Sequence, residues 1–345
     1  MLNLSGSYIW HLCAFRRETA LALGVYSDAA SNWCHDWDTV GRFAAAGHAP
    51  VHVPEVLYHW RSHSASTTNQ PRPNEGSLAS QKHVLEGWLA RQPSPDRYEI
   101  VPFPMFRGAP EWWISRKRTA PPPLAIVIQR RAAGRAAAGE GFAPLGDYPM
   151  ALRAAGPGTA GLAEAARGIE SGWVAVLEEG VRPVGDVWAW EAAALREWHG
   201  DLALVAGRIL DAEDRVIGGG GFFGGGAPSI CPDIGRKADD PGPFVLFLKP
   251  RSVDTVDARF FLADVAFLRS ALDEVGGRAS GECLGAWLGA VAARRGLRVA
   301  ASPLIAARAG PPSLARATIA PAEFAALGER FGDLVRRSRW HRSMA

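Results

Sequence analysis

The sequence predicts an α/β protein with a largely parallel sheet flanked by helices, and three observations predict it. From Leu124 onward, short apolar runs rich in β-branched residues alternate with longer helical stretches. Several of those runs are apolar throughout, as strands covered on both faces are. Hydrophobic residues make up 48% of the 345 residues and charged residues 21%, a balance that permits a packed interior and excludes a disordered chain.

The first third reads as more broken. Residues 6–12 form a short extended piece. Residues 16–23 form a helix that stops at Gly24, a residue suited to the turn after a helix. A loop covers 26–34. Residues 36–46 read as a helix with Trp37, Val40 and Ala44 on one face. Residues 51–53 read as a short strand stopped by Pro54, and 57–61 as a second strand or turn. The polar stretch 62–73 is a loop. Residues 75–91 are an amphipathic helix with Leu78, Val84, Leu85, Trp88 and Leu89 on the apolar side. Residues 98–101 are a strand. The run Pro121-Pro122-Pro123 is the best domain boundary.

Beyond it, strands are expected at 124–128, 173–177, 202–205, 245–249 and 258–262. Helices are expected at 160–171, 184–198, 267–275, 283–295 and 322–337. Residues 211–214 read as a turn. The glycine-rich run 218–226 could cradle phosphate if a helix followed it, but Pro228 and Pro232 follow instead. It therefore reads as a flexible loop.

The net charge of +3 is too small for a broad basic field, so no nucleic-acid partner is expected. The basic clusters at 116–118 and 336–342 fit a solvated face or a peripheral contact with anionic lipid. Four separated cysteines, Cys13, Cys34, Cys231 and Cys283, form no Cys-x-x-Cys pair. They argue against a zinc site or a disulfide framework and favour a reducing compartment. No signal peptide is visible, and no apolar run reaches the roughly 18–20 residues that span a bilayer. A cytoplasmic protein is expected, with peripheral contact at the inner face of the plasma membrane left open.

Residues 33–68 concentrate acid, imidazole, indole and guanidinium. Asp36 and Asp38 open a helix, where the dipole favours carboxylates. Two positions apart, they point in different directions. One can face a cleft while the other caps the helix or pairs with Arg42. A carboxylate among tryptophans at a loop-to-helix junction suits a general base, and sugars stack on aromatic faces. Equally, Asp36 suits an N-cap and Asp38–Arg42 a surface pair. His52, His59 and His63 match no standard metal-ligand spacing. Arg61, beside Trp60, could hold a phosphate or carboxylate in its planar fork, or pin a loop.

Several segments together resemble family 2 glycosyltransferases of the GT-A fold, in particular the tandem enzymes of bacterial O-antigen and capsule assembly. The carrying residues are His35-Asp36-Trp37-Asp38 with Arg42, His52-Val53-Pro54-Glu55-Val56-Leu57-Tyr58-His59-Trp60-Arg61, and Ser66-Thr67. Phe15-Arg16-Arg17 and Gly24-Val25-Tyr26 resemble the family's segment ahead of them. The resemblance implies that Asp36 is the base that deprotonates the acceptor hydroxyl. It places Trp37, Asp38, Arg42, His59, Trp60 and Arg61 along the substrate pocket. It implies a mixed, mainly parallel GT-A-like sheet preceded by a partial GT-A acceptor half. Residues 1–70 would be that half, 71–120 a helix and linker, and 121–345 a second GT-A-like domain.

The resemblance also implies a nucleotide-sugar donor, a glycan or lipid-linked glycan acceptor, and contact with other polysaccharide-assembly proteins. A divalent metal, Mg²⁺ or Mn²⁺, would accompany the donor, and its ligands in the second domain would be Glu178 and Glu179. There the match is eroded. Leu177-Glu178-Glu179-Gly180 stands where an Asp-x-Asp motif belongs, and Glu282 is the only acid at the expected base position of that domain. A non-catalytic glycan-binding or scaffold protein is the alternative.

Overall fold

A computed structural model describes residues 6–7, 9, 12–51, 53, 55, 57–59, 61, 75–105, 111–130, 148–224, 227–281, 283–314 and 321–336, without the side chains of 227, 228, 244 and 312. The chain divides into two compact units between Lys117 and Arg118. That division falls three residues before Pro121.

The first unit contains α1 (Arg17–Ala22), α2 (His35–Ala45), α3 (Glu75–Leu89) and an antiparallel pair, β1 (Tyr98–Pro102) with β2 (Trp112–Arg116). Gly24, at φ +61°, turns the chain out of α1, and Gly47, at φ +81°, follows α2; glycine takes this backbone without a Cβ penalty. The buried side of α2 is Trp37, Asp38, Thr39 and Gly41, while Ala44 is exposed. The expected face of Trp37, Val40 and Ala44 is thus wrong at its C-terminal end. Two polar residues can be buried because each has a partner. Asp38 accepts from Arg42 Nε at 2.7 Å, and Thr39 Oγ1 donates to the His35 carbonyl at 2.7 Å.

The strands expected at 51–53 and 57–61 do not form among the described residues there. Val51 is 90% exposed and Leu57 60%. Composition that suits a strand is not enough where no neighbouring strand accepts its backbone hydrogen bonds.

The second unit opens with β3 (Leu124–Gln129), β4 (Met150–Ala155), α4 (Gly158–Arg167), β5 (Trp173–Glu178), β6 (Val181–Pro183), α5 (Val187–Trp198) and β7 (Leu202–Leu210). There follow β8 (Val216–Gly218), β9 (Phe222–Gly224), β10 (Ala227–Ile230), β11 (Arg251–Val253), β12 (Phe260–Asp264), α6 (Val265–Val275), α7 (Leu284–Arg294), β13 (Arg298–Ala309), α8 (Pro321–Phe331) and α9 (Asp333–Arg336). The main sheet runs β11-β13-β7-β12-β5-β3-β4, with β6 on β13 and β8 on β7. Strands β3, β4 and β5 are parallel, as are β7 and β13. Strand β12 lies antiparallel between β5 and β7. The result is a mixed α/β fold whose central sheet is mainly parallel and flanked by helices.

Side chains alternate across this sheet as the strand period requires. Val174, Val176, Phe261 and Ala263 join the cluster packed with Leu162, Leu268, Trp287 and Leu288 of α4, α6 and α7. Phe260, on the opposite face, meets Trp188 of α5 edge-on at 5.8 Å between ring centres.

Three expectations fail here. Residues 243–248 form a 3₁₀ turn instead of a strand. Phe247 and Leu248 are buried, so the apolar run marks burial, which periodicity alone does not distinguish from a strand. The helix expected over 322–337 breaks at Gly332, at φ +53°, into α8 and α9. The glycine run is no loose loop over its described part: Gly218–Gly221 is buried. A Cβ on Gly220 would lie 3.0–3.1 Å from Ala301, Ala206 and Val253, and one on Gly221 would lie 2.1 Å from Ser229 Oγ. These glycines permit close backbone approach.

One titratable group responds to this packing. His199 caps α5, and among the described residues its Nε2 is buried without a hydrogen-bond partner. Burial pushes its imidazole down to about 4. The unfolded chain takes up a proton near pH 6.5 that the folded chain refuses until about pH 4. Stability is therefore expected to fall between those values, by roughly 2–3 kcal/mol from this group. Urea unfolding at pH 7 and pH 4.5 checks it: His199→Phe should flatten that part of the profile. An unchanged profile would clear His199 of the effect.

No helix among the described residues is long and apolar enough to cross a membrane.

Candidate functional site

The stretch around α2 separates its two acids, as their spacing requires. Asp36 is half-buried in the first turn, and its Oδ2 accepts a hydrogen bond from Ser7 Oγ at 2.9 Å. The N-cap position belongs to Cys34, which makes no side-chain cap bond. Burial, and then the Asp36 charge, push the Cys34 thiol up to about 12, so it stays protonated.

Asp38 points the other way. Its partner Arg42 also donates from Nη1 to the Leu23 carbonyl at 3.2 Å and lies 3.8 Å from Asp28. Asp28 in turn accepts from His83 of α3 at 2.7 Å. That bond to His83 is the main cause of the lowered Asp28 pKa. Arg42 therefore ties the end of α1, the following loop and α2 together.

Trp37 and Asp38 line a small cleft with Gly41, Val84, Leu85, Trp88 and Arg91. Asp36, His59 and Arg61 do not line it. His59 and Arg61 are exposed and outside regular structure. Trp60, His52, His63, Ser66 and Thr67 lie outside the described residues, as does Glu282.

The second constellation sits at the carboxyl ends of β3 and β5, where ligands of open α/β sheets generally bind. Gln129 and Glu178 stand in register on these parallel strands. Glu178 accepts from Ser313 Oγ at 2.8 Å, and the same hydroxyl lies 2.9 Å from the Glu179 carbonyl. The Glu178 and Glu179 amides donate to the carbonyls of Arg259 and Gln129.

Arg259 fills the space beside them. Its guanidinium grips Asp257 with two bonds, 2.9 and 2.7 Å, and donates to the carbonyls of Ser313 and Ile217 at 2.9 Å each. Burial works against its charge. The paired bonds to Asp257 and the nearby Glu178 outweigh that, so its pKa is raised. Gly218 makes the arrangement fit, since a Cβ there would lie 2.2 Å from Asp257 Oδ2. The opening of the glycine run thus serves this ion pair.

Among the described residues, no group of three or more His, Cys, Asp or Glu side chains could hold a metal ion. Glu178 and Glu179 alone suit a divalent cation only where phosphate oxygens and waters complete its shell. The charge of Glu178 acts on Arg259, whose guanidinium is already paired with Asp257.

Arg259, Asp257 and Ser313 are not singled out by sequence reasoning. They are separated along the chain and match no spacing motif. A signal exists for a third cluster: Arg208 interrupts an apolar run, Leu202 to Leu210, that is buried throughout. A charge inside such a strand demands a buried partner.

Comparison of the chain with protein-family models gives no match, and comparison with curated protein sequences gives none.

Proposed function

We propose that the protein is glycosyltransferase-like and acts in cell-surface polysaccharide assembly. It moves a sugar from a nucleotide-sugar donor to a glycan or lipid-linked acceptor at the cytoplasmic face of the plasma membrane. The observation that carries this reading is the sheet of the second unit. Parallel β3, β4 and β5 continue into an antiparallel β12 and then β7 and β13, with Glu178 at a carboxyl end. That layout suits the GT-A-like scaffold implied by the segments around Asp36.

In this reading Asp36 is the base. Its carboxylate is half-buried at a helix start and accepts a hydroxyl hydrogen bond from Ser7, the geometry a base needs toward an acceptor hydroxyl. Trp37, Asp38 and Arg42 hold the helix that presents it. His59, Trp60 and Arg61 belong to the substrate side. Within the second unit, Glu178 and Glu179 would hold Mg²⁺ or Mn²⁺ entering with a nucleotide-sugar, and the metal would neutralise that donor's diphosphate.

A second reading has its own observation. Arg259 and Asp257 already occupy the acidic end of the sheet, which favours a non-catalytic glycan-binding or scaffold protein. Replacing Asp36 with Asn separates the two. Loss of transfer by at least about a hundredfold, with the fold intact, supports the enzyme. Unchanged glycan synthesis in cells carrying Asp36→Asn supports the scaffold.

A further inference from the structure

A cluster unrelated to Asp36 and Arg259 is built around Asp233. Arg208 of β7, Arg251 of β11 and Asp233 are all more than nine-tenths buried. Two guanidinium groups contact one carboxylate, so these three side chains together carry one positive charge in excess. Cys231 does not offset it: burial, then the Asp233 charge, raise its pKa, and its thiol donates to Asp233 Oδ1 at 3.1 Å.

The two arginines are unequally satisfied. Arg208 donates to Asp233 Oδ2 at 2.8 Å, to the Ala238 carbonyl at 2.9 Å and to the Phe247 carbonyl at 2.5 Å. Arg251 makes only longer contacts, to Asp233 Oδ2 at 3.4 Å and to the Leu246 carbonyl at 3.3 Å. Among the described residues its buried Nε has no hydrogen-bond partner. The excess charge and the spare donor therefore belong to the same side chain.

Beside it lies a small cavity, lined by Arg208, Arg251, Asp233, Gly219, Gly220 and Ser302, among others. It has room for about one water-sized group. A buried charge without a counter-charge is costly. Only a water-sized group fits wholly inside this space, and a phosphate, a carboxylate ligand or a nucleotide would stand partly outside it. Ser302, on the wall of this space, donates from Oγ to the buried Glu191 carboxylate at 2.7 Å and accepts from the Leu304 amide at 3.4 Å.

We propose that this cavity is a binding site for a single monatomic anion, of which chloride is the abundant example, held by Arg251 against the Gly219–Gly220 backbone. The anion balances the second guanidinium and stabilises the second unit.

The test uses the full chain in sodium chloride or sodium gluconate at equal ionic strength. Chloride should raise the melting temperature in a saturable way, by about 3 °C at tenfold excess over its dissociation constant. In Arg251→Gln the chloride-specific increment should vanish. Should that variant fail to fold, ³⁵Cl line broadening by the unaltered protein, reversed by bromide, reads the site directly. Equal melting temperatures in the two salts together with no broadening would overturn the proposal and leave the cavity to water. An increment of full size in folded Arg251→Gln would overturn it too.

Discussion

Arg259→Met is expected to destabilise the protein by about 3 kcal/mol, although methionine fits the volume. The guanidinium makes four hydrogen bonds, two to Asp257 and one each to the carbonyls of Ser313 and Ile217. Removing it leaves the Asp257 carboxylate without its partner in a setting only 16% exposed. Taking away one member of a buried pair costs more than taking away both, since the survivor remains charged and desolvated. The double variant Arg259→Met, Asp257→Asn should therefore lose less than the sum of the single changes. Chemical denaturation of the four proteins checks this. Additive losses would show that the two side chains act independently.

The second large effect is expected at Gly285, where an exchange that ordinarily helps a helix should harm this one. In an open helix interior, Gly→Ala stabilises by about 1 kcal/mol. On α7, however, a Cβ at Gly285 would lie 1.8 Å from the Val256 carbonyl oxygen, and one at Gly289 would lie 2.0 Å from that of Asp254. These two glycines, one helical turn apart, let α7 press against the backbone ahead of β12. Backbone cannot rotate away as a side chain can. Gly285→Ala should cost about 3 kcal/mol and lower the melting temperature by about 6–12 °C. Gly328→Ala on α8 is the control, because nothing lies within 4 Å of a Cβ there. It should be neutral or slightly stabilising. A stable Gly285→Ala would mean that α7 does not press on residues 254–256.

These effects also show where sequence reasoning reached and where it stopped. The run from Leu124 to Ile128, the run from Trp173 to Leu177, and helices α3, α6 and α7 were legible because each carries its own periodicity or apolar character. Strand β13 was not. It is alanine-rich, contains Pro303, and is a strand because β7, β11 and β6 pair with it. Strand β12 was legible as an element, but its antiparallel direction depends on which neighbours it joins. The glycine run misled for a related reason. Its glycines look like flexibility, yet Gly218 admits the Arg259–Asp257 pair. At the candidate site, the opposed directions of Asp36 and Asp38 followed from helical spacing alone. Arg259, Asp233 and Arg251 could not be found that way, because each acquires its role from residues distant in the chain.

The proposed activity is tested most directly by calorimetric titration of the purified chain with a panel of nucleotide-sugars, with and without Mn²⁺. Saturable binding of at least one nucleotide-sugar is expected, strengthened by Mn²⁺ and weakened when Glu178 and Glu179 are both replaced by Gln. No heat of binding from any donor, with or without Mn²⁺, would contradict the proposed activity.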